Sequence, residues 1–157
     1  MKKLILTLIS VVLISACGSN QDNPAATAPR NADEAVQQMV SVLNRARRSH
    51  GIGALSLSSA LNTAAQNHAT DMSVRRYFSH ISPEGTTPHN RVEMQSYTAC
   101  AVAENVAKGQ KTADATVRDW MNSPGHRENN LRAGVSEMGV GYATGDYWVL
   151  LLAEPGC

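Results

Sequence analysis

From residue 33 onward the apolar positions repeat with helical spacing: Val36, Met39, Val40, Leu43 and Ala46 follow Asp33 and Glu34 and precede Arg47 and Arg48. This pattern predicts a helix over 33–49 whose end charges complement its dipole. Gly51 and Gly53 stop it. Ser58 or Ser59 then opens a second helix to about residue 76, carrying Leu61, Ala64, Ala65, His68, Ala69 and Met72 on one face. In YFSHISPEGTT (77–87), Pro83 and Gly85 enforce a turn, and Thr87-Pro88 caps a short helix over 88–97. A strand follows over 101–107. Thr112 caps a fourth helix with Ala113, Val117, Trp120 and Met121 turned inward, and Pro124-Gly125 ends it. Two apolar runs around Thr144-Gly145-Asp146 make a β-hairpin whose second strand is buried on both faces. Helices and strands mix without regular alternation, so the fold class is α+β, a layered domain rather than a nucleotide-binding βαβ sheet.

The first residues do not belong to that fold. Lys2-Lys3 precede an apolar run from Leu4 to Ile14 that is too short to span a membrane and has the layout of a secretory signal. It ends in Ile14-Ser15-Ala16-Cys17, which resembles the bacterial lipobox; residues 1–16 then form a lipoprotein signal peptide and Cys17 receives lipid. The alternative is a soluble secreted chain cut after Ala16. Residues 17–32, rich in Asn, Ala and Pro, have too few large apolar side chains to offset their ordering entropy and serve as a flexible tether. Residues 33–157 make one domain of ordinary size, expected as a monomer.

The formal charge of +1 falls to near neutrality once Lys2 and Lys3 leave with the signal, which excludes nucleic acid as a partner. With Cys17 assigned to lipid, Cys100 and Cys157 remain, and an exported chain can pair them. That disulfide is worth about 4 kcal/mol in the chain-entropy account. The alternative is two free thiols. Gly18 and Ser19 lack the aspartate expected for inner-membrane retention, so outer-membrane or surface display is favoured over the inner membrane.

Three side chains stand out as chemistry. His80 and His126 each open a segment read as irregular, directly after an ordered element, where backbone freedom lets side chains converge. Glu104 interrupts the apolar run AVAENVA, and a carboxylate inside a strand needs a partner to offset desolvation. Two imidazoles with one carboxylate suit zinc with an open water position, and equally suit general acid/base work. Local bonding to turn backbone is the competing account of both histidines. His68, on an apolar helix face, reads as a packed, hydrogen-bonded core histidine.

The segments LNRARRSHGI, AAQNHATDM, FSHISPEG, AENVAKG, WMNSPGHRENN and EMGVG, in that order, resemble the CAP superfamily of cysteine-rich secretory proteins, insect antigen 5 and plant pathogenesis-related proteins. The likeness is greatest to its short bacterial secreted branch, with an SCP-like domain. The resemblance implies an α-β-α sandwich, a central antiparallel sheet flanked by helices, with a cleft lined by two histidines and two glutamates. It places the histidines on His80 and His126 and one glutamate on Glu104, with Ala103 where the family has glycine. The second glutamate falls on Ser123, which removes a candidate general base; Glu137 is the auxiliary candidate, against a plain strand-edge charge. Asn105 and Arg127 are implied as supports of the cleft, and Asn44 and Arg47 as scaffold hydrogen bonds.

The function expected is that of an exported, lipid-anchored protein whose cleft binds a divalent metal such as zinc, or a lipid or cell-envelope ligand, without catalysis. The resemblance supports this, since CAP domains share no one established reaction and several bind lipids. A zinc-dependent hydrolase using His80, Glu104 and His126 is the alternative. No nucleophile accompanies the histidines and Ser123 replaces a carboxylate, which weighs against it.

Overall fold

The computed structural model describes residues 24–156. Helix α1 (Ala32–Ser49) begins where the Asn31 side chain accepts the Glu34 N–H at 2.9 Å. It is followed by β1 (Ser56–Leu57) and α2 (Ser59–Arg75). The short α3 (Pro88–Glu93) starts in a reciprocal capping box between Thr87 and Asn90, with proline in the first turn. Then come β2 (Ala99–Lys108), α4 (Ala113–Asn122), α5 (Pro124–Asn130), β3 (Glu137–Ala143) and β4 (Tyr147–Pro155). The sheet order is β1-β3-β4-β2, antiparallel except for the two-residue β1–β3 pairing. Among the described residues no helix is long and apolar enough to cross a membrane.

β4 is the central strand, apolar and buried on both faces as its unbroken run predicts. On one side Leu151, Val149 and Ala153 pack with Val106 against Leu61, Ala65 and Met72 of α2. On the other, Leu150, Leu152 and Trp148 meet Met39 and Leu43 of α1 and Val117 and Trp120 of α4. The result is the expected layered sandwich, with helices on both faces of one sheet.

α2 lies unusually close to the sheet because β3 is Glu-Met-Gly-Val-Gly. A Cβ on Gly139 would stand 2.1 Å from the Leu61 carbonyl carbon, and one on Gly141 2.2 Å from the Ala65 carbonyl oxygen. That approach lets α2 cover the part of β3 that the short β1 leaves unpaired: Asn62 Oδ1 accepts the Val140 N–H and Gln66 Oε1 the Tyr142 N–H, both at 3.1 Å. Asn44 exchanges two bonds with the Leu55 backbone, and buried Arg47 donates to the Gly53, Asn130 and Arg132 carbonyls, so both are the scaffold bonds expected.

Several boundaries differ from the sequence expectation. Pro124-Gly125 does not lead into an irregular segment; α4 stops at Asn122 and Pro124 occupies the first turn of a new helix, where its missing N–H breaks no bond. The third helix ends at Glu93 rather than near Tyr97. β1, only two residues long, has no detectable alternation. The ordered unit also starts before residue 33: Pro24–Ala26 forms a 3-10 turn and Ala25, 1% exposed, joins the cluster between α1 and α4. A small buried apolar side chain thus helps to hold a segment whose composition reads as tether. The proposed signal, Cys17 and Cys157 lie outside the described residues, and with them the lipid attachment and the Cys100–Cys157 bridge.

Replacing Gly141 by alanine should force α2 off the sheet, since backbone atoms cannot yield as a flexible side chain would. We expect a loss of at least about 2 kcal/mol in urea unfolding; an unchanged midpoint would show that α2 shifts freely.

Candidate functional site

β2 is an edge strand, and the site is built where two irregularly connected pieces of chain reach over that edge. One is the loop between α2 and α3, which carries His80. The other is α5, which carries His126. Glu104 sits in the middle of β2, paired with Leu151 of β4, and its side chain is only 2% exposed.

Both oxygens of Glu104 are engaged. Oε1 accepts from His80 Nδ1 at 2.8 Å and Oε2 from Arg91 Nη2 at 2.7 Å. Arg91 also donates to the Thr86 carbonyl from Nη1 and to the His80 carbonyl from Nη2. Guanidinium, carboxylate and imidazole therefore form one chain: Arg91 neutralises Glu104, and Glu104 fixes the His80 tautomer with the proton on Nδ1, leaving Nε2 as the free acceptor at the half-exposed face. Removing one partner of such a buried pair typically costs about 3–5 kcal/mol, because the other charge is stranded.

His68 supports the same loop from behind, with Nε2 bonded to the Ser79 carbonyl at 2.9 Å, and is 2% exposed, the packed core histidine expected. Burial, above all, holds its pKa below the ordinary value.

His126 is placed by backbone rather than by its own ring. Fully buried Asn105, next to Glu104 on β2, donates to the His126 carbonyl at 3.0 Å and to Asn130 Oδ1 at 2.9 Å, and accepts from Asn129 at 2.8 Å. Asn105 is thus the clip that fastens α5 to the strand. The His126 pKa lies below the ordinary value, first because the ring is partly buried and second because a protonated His80 would repel its positive charge. The two histidines lie near enough for one to affect the charge of the other.

The other candidates do not join them. Glu137 lies on β3, which β4 separates from β2, and its carboxylate accepts from the Tyr97 hydroxyl at 2.8 Å. It does not replace the missing glutamate. Ser123 is the N-cap residue of α5 and makes no side-chain cap bond, while Arg127 is exposed on that helix. Nor does a three-ligand metal set assemble: among the described residues no three His, Cys, Asp or Glu side chains come together as a metal site. Both oxygens of Glu104 are already engaged, one by Arg91 and one by His80. The residues present do not fit a His-Glu-His zinc.

Arg91 is the participant that pattern reasoning passes over. Its signal was indirect: Glu104 in an apolar run demands a counter-charge, and Arg91 follows the His80 loop closely in PHNRVE.

The chain has known relatives. The profile of the cysteine-rich secretory protein family (CAP) matches residues 40–152. The chain is 32% identical to Bacillus subtilis YkwD, described as uncharacterized, over 83% of this chain and 51% of that one. Among solved structures it resembles an extracellular protein containing a SCP domain from Bacillus anthracis, with a TM-score of 0.75 and 27% identity over 78% of this chain and 41% of that chain. An outer surface protein of Borrelia burgdorferi shares the fold at a TM-score of 0.70 and 23% identity, over 76% of this chain and 92% of that one. The chain spans about half the length of YkwD.

His126 should titrate below an ordinary histidine in a proton NMR titration, and its pKa should rise only part of the way back in His80→Ala, since burial remains. For His68 and His126 alike the unfolded state binds the proton more readily, so stability should decline as pH falls below about 6.5 and be fully present above it. An unchanged His126 pKa in His80→Ala would separate the two rings.

Proposed function

Because the chain belongs to the cysteine-rich secretory protein (CAP) family, we propose that it is an exported, lipid-anchored binding protein whose His80–His126 cleft holds an extracellular ligand without catalysing its conversion. One observation carries this reading: the Glu104 carboxylate is committed on both oxygens to His80 and Arg91. The cleft therefore offers a ligand two imidazoles, His80 with a free Nε2 and His126 with its charged form disfavoured, while the Glu104 carboxylate is not free to serve as general base. Hydrolysis by a zinc-bound water would need a third ligand and a separate base, and no three-ligand set assembles among the described residues. Any divalent metal there would rest on the two histidines alone.

Export is supported by the signal-like apolar run after Lys2-Lys3 and by the likeness to an extracellular SCP-domain protein. Anchoring rests on Cys17 after Ile14-Ser15-Ala16, with Pro29 and Arg30 leading from the anchored end into α1. We keep the Cys100–Cys157 bridge in this reading: Ala99 pairs with Pro155, which brings Cys100 beside the end of β4.

Cys17→Ala should move the protein from the detergent phase to the aqueous phase of a cell fractionation; retention with membranes would remove the lipid anchor from the reading. Calorimetric zinc titration should give binding at least tenfold weaker than a three-ligand site of this kind, and none in His80→Ala/His126→Ala. Tight one-to-one binding, with zinc-dependent cleavage of casein that the double variant loses, would establish the hydrolase instead.

A further inference from the structure

The two histidines of the cleft are carried by pieces of chain that are held in unlike ways. The His80 loop is secured by the Arg91–Glu104–His80 chain of charged and hydrogen-bonded groups. Helix α5, which carries His126, gives no side chain to either apolar cluster of the described residues, and Asn130 is its one buried residue. Its neighbours in sequence are anchored: Val117 and Trp120 of α4 lie in the core on one side, and Val135 and Met138 on the other. Between Met121 and Val135 no side chain joins them.

What fastens α5 is a set of hydrogen bonds. Asn105 Nδ2 donates to the His126 carbonyl and to Asn130 Oδ1, and Asn129 Nδ2 donates to Asn105 Oδ1 at 2.8 Å and to the Glu104 carbonyl at 3.3 Å. Arg47 Nη1 donates to the Asn130 and Arg132 carbonyls at the far end. Bonds of this kind are replaced by bonds to water when released, so their net worth is small, whereas buried apolar surface has no such substitute. The closed arrangement also leaves Asn130 Nδ2 buried without a partner among the described residues, a cost that opening to water removes. At the near end Ser123 is extended, with φ −99° and ψ 121°, where α4 stops and α5 starts, and its side chain makes no cap bond. A helix of seven residues does not persist once detached.

We propose that α5 is a gate on the cleft: residues 123–132 open from β2 as one cooperative unit, latched by Asn105 and Asn129, while the sheet, α2 and α4 stay folded. Opening carries His126 away from His80 and uncovers Asn105 and the Glu104 carbonyl. The width of the cleft is then set by an equilibrium rather than by a fixed frame. A ligand that touches both histidines binds the closed form and shifts the equilibrium toward it. The gate depends neither on what the cleft binds nor on how the chain is anchored.

The test is hydrogen exchange of the intact protein, followed by nitrogen-15 NMR with and without urea below the unfolding transition. The Arg127 and Leu131 amides, bonded to the Ser123 and Arg127 carbonyls, and the side-chain amide of fully buried Asn105 should share one protection factor. It should lie at least about a hundredfold below that of the β4 amides and should not change with urea, as expected of a local opening. Asn129→Ala, at a half-buried position, should speed this exchange about fivefold or more, the worth of one hydrogen bond. Gly125→Ala, where a Cβ meets nothing within 4 Å, should slow it a few-fold by favouring the helix. Graded protection along α5, an Asn105 side-chain amide that exchanges only with β4, α5 amides that follow β4 in rate and urea dependence, or a variant that leaves α5 exchange unchanged would overturn the proposal.

Discussion

The carboxylate of Glu104 is the constraint around which the rest of this molecule is arranged. An ionised group almost wholly removed from water is tolerated only if it is paired and hydrogen-bonded. Here Arg91 takes one oxygen and His80 the other. That double engagement draws α3 and the 77–87 loop onto the edge of β2, and Arg91 secures the loop further through its backbone carbonyls. What would otherwise be an open sheet edge is thereby covered in part by that loop. The second wall, α5, is attached by a different device, the neutral amide network of Asn105, Asn129 and Asn130, which needs no charge balance and leaves His126 to be placed by its backbone.

The same arrangement sets the chemistry. A histidine whose Nδ1 proton is held by a buried carboxylate presents Nε2 in one orientation, which suits recognition of a donor. It does not by itself supply the separate base that hydrolysis requires. Ser123 stands where the family resemblance implies a second glutamate, and Glu137, tied to Tyr97 from β3, does not restore it. The proposed binding role rests on that balance. The likeness to CAP-family proteins establishes the family and the fold; the relatives matched are longer than the segment they share with this chain.

Close packing of α2 on β3 supports the cleft from below. Gly139 and Gly141 bring the helix within backbone distance of the strand, and Asn62 and Gln66 satisfy strand groups that β1 is too short to reach. His68, on the same helix, then reaches the Ser79 carbonyl and fixes the approach to His80. Stability of the core and position of the site are therefore carried by one element.

Local pattern alone revealed the long helices, the hairpin and its doubly buried strand, because periodicity of apolar residues depends only on neighbours in the chain. It also marked Glu104 as a charge in need of a partner, and the family motifs marked His80 and His126. What that partner is, only the tertiary structure decided: Arg91 and Glu104 are 13 residues apart and meet across separate elements. The start of α5 at Pro124 was equally hidden, since proline both ends one helix and opens another and sequence does not say which. The exclusion of Glu137 rests on strand order, and the burial of Ala25 on a gap between α1 and α4. Each of these is a matter of which surfaces meet in space, and such meetings are non-local, so no window along the chain contains them.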